Sequence, residues 1–112
     1  MDGGGLRFDG PSGRIANGGA RGFFPPGSHP HAVLSHLMLA EAQTVALDAI
    51  YRSVWGGEFD AECDAGALST ALRRLGRVLR RLSPDVRLLW GKTAARPAHL
   101  VLLLEGDWEA VL

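Results

Sequence analysis

The chain has 112 residues, enough for one domain with a single modest hydrophobic core. Its hydrophobic fraction of 46% excludes an intrinsically disordered chain, and twelve basic residues against twelve acidic ones leave it formally neutral. A lone cysteine, Cys63, excludes an internal disulfide and a multi-thiolate metal site, so a reducing, cytoplasmic location is expected. The longest apolar run, Leu100 to Leu104, is far too short to cross a bilayer, and the glycine-rich start lacks the apolar segment of a signal peptide. No membrane partner is expected.

Residues 1–5 read as a flexible N-terminus. Nine of the fifteen glycines and four of the six prolines fall within the first thirty residues, so turns should dominate there. Between them, Leu6-Arg7-Phe8-Asp9 alternates apolar and polar, Arg14-Ile15-Ala16 forms a second short strand, and a third runs through Phe23 and Phe24. The turns Gly10-Pro11-Ser12-Gly13 and Asn17-Gly18-Gly19 join them into an antiparallel meander. Ser28 caps a first helix that has Pro30 in its opening turn and Val33, Leu34, Leu37, Met38 and Ala42 on one face. A break near Gln43-Thr44 leads to a second helix, with Leu47, Ile50, Tyr51, Val54 and Trp55 inward, stopped by Gly56-Gly57.

After a loop from Glu58 to Cys63, Asp64 caps a third helix that runs to Leu82 and stops at Ser83-Pro84. Leu68, Leu72, Leu75, Leu79 and Leu82 repeat at four, three, four and three, which makes them its buried seam. Val86 to Trp90 and His99 to Leu104 form a terminal hairpin around the polar, basic loop 91–97. Residues 105–112 remain as an acidic tail, in which Trp108 either folds back on the domain or anchors a partner.

The charges are sorted along the chain. Residues 64–99 hold seven arginines and one lysine against Asp64 and Asp85, a net of 8 − 2 = +6. Residues 1–63 hold four arginines against seven acids, a net of −3, and residues 100–112 hold three acids and no base. A strongly basic segment in an otherwise acidic chain points to a polyanionic partner, because the local field acts at contact range.

In this order, the elements resemble the winged helix-turn-helix DNA-binding domain of response regulators and related bacterial-type transcription factors. The similarity covers residues 6–104. Leu6 to Asp9 and Gly13-Arg14-Ile15 resemble that family's N-terminal sheet. Val45 to Gly56, with its Val54-Trp55-Gly56 ending, is similar to its second helix. Ala67-Leu68, Leu72, Arg74-Leu75, Arg77 and Leu79 match its recognition helix, and residues 86–102 stand where its wing belongs. The resemblance implies an α+β fold with an N-terminal antiparallel meander, three helices and a C-terminal hairpin wing, here stand-alone with no receiver domain. It also implies sequence-specific binding of double-stranded DNA in transcriptional regulation, with helix 64–82 in the major groove.

On that reading, Ser69, Thr70 and Arg73 are the candidates for base contact, near the end of the helix where base edges are met. Arg74, Arg77, Arg80 and Arg81 meet phosphates, and Lys92, Thr93 and Arg96 anchor the wing on the backbone. A homodimer or a regulatory protein is the other partner class. The alternative is a degenerate winged helix acting through protein–protein contacts, favoured by formal neutrality, the small Gly66 and Ala71, and the apolar run Leu100 to Leu104.

No catalytic arrangement, cofactor motif or metal site is expected. His29, His31 and His36 lack an acid or thiol to complete a ligand set, and no serine, histidine and carboxylate fall into a triad pattern. Gly91-Lys92-Thr93 lacks the strand-to-helix glycine signature of a nucleotide-binding loop.

Overall fold

The structure, a computed structural model, describes residues 5–40, 43–57, 65–82, 86–90, 99–103 and 108–112. Among them lie three helices and two sheets in an α+β arrangement. Strands β1 (Leu6–Asp9), β2 (Arg14–Asn17) and β3 (Ala20–Phe23) form the expected antiparallel meander. Alternation sets their faces, with Leu6, Phe8 and Ile15 buried while Arg7, Asp9 and Arg14 stay in solvent. The turn between β1 and β2 is held by Gly13 N–H donating to the Asp9 carbonyl (2.8 Å) and by the Ser12 hydroxyl donating to Asp9 Oδ2 (2.5 Å).

Helix α1 (His29–Leu39) begins where Ser28 accepts the His31 amide at 3.4 Å, with Pro30 in the first turn, where a missing N–H costs nothing. Val33, Leu34, Leu37 and Met38 are buried as the spacing requires; Ala42 lies outside the described residues. Gln43 takes a left-handed φ of 49°, and its amide donates to the Ala40 carbonyl at 3.1 Å, turning the chain.

A short strand, β4 (Thr44–Ala46), then precedes α2 (Leu47–Trp55). This corrects the sequence reading, which begins the second helix at Val45. Three residues are too few to register as a strand by periodicity; their extended form is set by pairing with a segment more than fifty residues away, Val45 opposite Leu100. Helix α2 buries Leu47 and Ile50, half-buries Tyr51, Val54 and Trp55, and ends at Gly56 in the left-handed region.

Helix α3 (Ala65–Leu82) lays Leu68, Leu72, Leu75, Leu79 and Leu82 into the core, each worth about 1.5–3 kcal/mol of transfer free energy. Its expected cap Asp64 and stop Ser83-Pro84 lie outside the described residues. Helix α3 packs on α1, on β3 and on the next strand, β5 (Arg87–Trp90). The approach to β3 is close at Gly22, where an added Cβ would stand 2.8 Å from Val78 Cγ1 and 3.2 Å from Ile15 Cγ2. Strand β6 (His99–Leu103) pairs antiparallel with β5 on one side and with β4 on the other, giving the sheet order β4-β6-β5.

The second correction concerns residues 105–112. Trp108–Val111 is not part of a tail but strand β7, parallel to β1, with Leu6 opposite Trp108 and Phe8 opposite Ala110. The first sheet is therefore mixed, in the order β3-β2-β1-β7. Of the acidic residues that suggest a tail, Glu109 lies on this edge and pairs with Arg7 at 2.8 Å in solvent. Both sheets and all three helices contribute to one apolar cluster, and among the described residues no polar side chain is buried.

Candidate nucleic-acid interface

Helix α3 has two faces because leucine recurs every three or four residues and arginine fills the turns between. Arg73, Arg74, Arg77, Arg80 and Arg81 are all exposed opposite the leucine seam. The helix carries no acidic residue, and among the described residues none of the five arginines forms an ion pair. Five unneutralised cations on one helix repel one another, and a polyanion laid along them relieves that repulsion. Arg80 and Arg81 also sit in the last turn, where the helix dipole favours positive charge.

At about 100° per residue, Arg73 and Arg77 project opposite Leu75. Ser69, Gly76 and Arg80 lie along one flank, and Thr70, Arg74 and Arg81 along the other. The flanks meet different neighbours. Thr70 and Arg74 border a hollow of about 520 Å³ between the start of α1 and the end of α2, with Ser28, His29 and Trp55 on its far side. Trp55 packs against His29 at 4.4 Å between ring centroids and stacks on Tyr51 at 5.0 Å and 5°. Arg73, Arg77, Arg80 and Arg81 line a second hollow, of about 370 Å³. On the opposite flank, Gly76 and Arg80 share a third, of about 390 Å³, with Arg87 and Leu89 of β5.

The structure thus brings four of the sequence-predicted contacts, Arg73, Arg77, Arg80 and Arg81, around one hollow, and sets Arg74 beside Thr70 at another. Thr70 is exposed but already committed, since its hydroxyl donates to the Gly66 carbonyl at 2.9 Å. Its oxygen retains lone pairs free to accept a hydrogen bond, and the hydroxyl must surrender the backbone bond before donating elsewhere. Ser69 is half-buried at the edge of the seam. Lys92, Thr93 and Arg96, with the rest of loop 91–97, lie outside the described residues.

Two features escape a reading of the sequence. Arg87 shares a hollow with Arg80 only because β5 packs on α3; the alternation Val86-Arg87-Leu88 is the signal that turns it outward, since Val86 is buried and Arg87 exposed. The packing of His29 on Trp55 joins α1 to α2 and has no local signature, whereas Tyr51 and Trp55 stack at a spacing of four within α2. Three residues that suggest a protein-contact surface are accounted for by packing, because Leu100 and Leu102 point into the core and Ala71 is 4% exposed within the seam.

The histidines are dispersed: His29 lies on Trp55, while a ring nitrogen of His31 is 2.7 Å from the Gly10 carbonyl. Among the described residues no group of three or more His, Cys, Asp or Glu side chains converges to hold a metal ion. No described helix is long and apolar enough to cross a membrane. No family model matches the chain, and no curated protein or solved structure matches it either.

Proposed function

We propose that the chain binds double-stranded DNA as a winged helix-turn-helix domain and regulates transcription, with α3 in the major groove and loop 91–97 as its wing. The observation that carries this reading is the five-arginine face of α3, free of acid and opposite a fully buried leucine seam. The order of elements supports it: α2 leads into α3, and a three-stranded sheet that includes the segment before α2 follows. The mechanism is non-catalytic. Arg74, Arg77, Arg80 and Arg81 bind phosphates and set the register, Arg73 and Ser69 meet base edges, and Thr70 accepts from a base amino group.

Titration of genomic and random short duplexes at several salt concentrations tests the reading. Affinity is expected to fall with salt at a log–log slope near −0.9 for each neutralised phosphate. Within that assay, Arg73→Ala should reduce the preference for target over random duplex by about 1–3 kcal/mol, the value of a bidentate guanine contact. Arg80→Ala and Arg81→Ala should instead weaken both duplexes by similar factors. A complex insensitive to salt, or none with any duplex at low salt, overturns DNA binding and leaves protein contact as the function of this face.

A further inference from the structure

We infer that the DNA-binding surface does not end at α3 but continues onto β5, with Arg80 as the junction and Arg87 as the next phosphate contact along one strand of the duplex. The inference rests on the DNA reading of α3 and extends it to a residue outside the helix. Arg80 lines two hollows at once, one shared with Arg73, Arg77 and Arg81, the other with Gly76 and Arg87. The two depressions therefore adjoin, and cationic side chains border both. Arg87 is exposed on an edge strand, next to Val86 and Leu88, which face inward and hold the strand against α3.

Gly76 keeps this route open. It lies one turn before Arg80 on the flank facing β5, and a Cβ added there would meet no atom within 4 Å. A larger residue would stand in the hollow between helix and strand. The occupant is the sugar–phosphate backbone of double-stranded DNA, because a phosphodiester chain can set successive phosphates against arginines that border two adjoining hollows. An isolated small anion would occupy one hollow and leave Arg87 at the other without a partner from it.

The test measures wild type, Arg87→Gln, Gly76→Glu and Gly76→Gln on one random duplex across a salt series, with an RNA duplex of the same sequence alongside. Arg87→Gln should make the salt slope shallower by about 0.9 and weaken binding about 8-fold at 0.1 M salt, as expected when one fewer phosphate is neutralised. Gly76→Glu should weaken binding clearly more than Gly76→Gln, since the two side chains match in size and differ in charge. Unchanged thermal midpoints for all three variants would assign the weaker binding to the altered surface and not to unfolding. If wild type binds and Arg87→Gln keeps its slope and affinity, the track ends on α3 and the inference fails while the DNA reading stands. If Gly76→Glu and Gly76→Gln weaken binding equally, the hollow is not a phosphate path. If wild type binds no duplex, or prefers the RNA duplex, both the inference and the reading beneath it fall.

Discussion

Leu72 is 1% exposed at the centre of the α3 seam, and Ser69, three residues before it, is half-buried at the seam's edge. Leu72→Ala removes transfer free energy and leaves a cavity, so it should cost about 2–5 kcal/mol. In a domain of this size that is a large share of a total of about 5–15 kcal/mol. Ser69→Ala should stay within about 0.5 kcal/mol of wild type. Urea denaturation of the two variants checks the orientation of the helix; a silent Leu72→Ala with a destabilising Ser69→Ala would reverse the faces assigned to α3. Gly13 makes a different kind of demand. Its φ is +78°, its carbonyl accepts the Phe24 amide at 2.8 Å, and an added Cβ would run into the Phe24 carbonyl. Gly13→Ala should therefore lower stability by about 1–3 kcal/mol, measured in the same denaturation series.

At the scale of elements, β7 converts β1 from an edge strand into an interior one. The exposed Arg7–Glu109 pair adds at most about 1 kcal/mol. More of the gain comes from the ladder, at about 0.5–1.5 kcal/mol net per hydrogen bond, and from Ala110, which packs against the core. Ending the chain at Leu104 should lower the melting temperature and speed amide exchange in β1 while leaving exchange in α1 far less affected. An unchanged melting temperature would show that β7 contributes nothing to the sheet. Strand β4 illustrates the complementary case, a three-residue element that exists because β6 offers Leu100 and Val101 as partners for Val45 and Thr44.

For the whole molecule, the apolar cluster draws Phe8 and Ile15 from the first sheet, Leu100 and Leu102 from the second, and Leu34, Ile50 and Leu75 from the three helices. A core shared in this way leaves neither sheet able to unfold by itself at low cost. Unfolding followed by tryptophan fluorescence and by far-ultraviolet circular dichroism should give coincident transitions. Two separated transitions would mean that the sheets are independent units. The same assembly sorts charge in space as well as along the chain, placing five arginines of α3 on the side opposite its buried seam.

The meander, the three helices, the Ser28 cap and the leucine seam were legible from sequence because each depends on residues within one or two turns of one another. Alternation sets β1, spacing of three and four sets α3, and a side-chain oxygen three residues upstream sets the start of α1. The arginine face followed directly, being the complement of the seam on an eighteen-residue helix. Only the tertiary structure decided β4, β7 and the hollow that Arg80 shares with Arg87. Strand pairing joins Thr44 to Val101 across half of the chain and Leu6 to Trp108 across nearly all of it, and the energy of such a pair belongs to neither partner alone. A hollow between a helix and a strand is likewise a property of their packing, which local spacing does not encode.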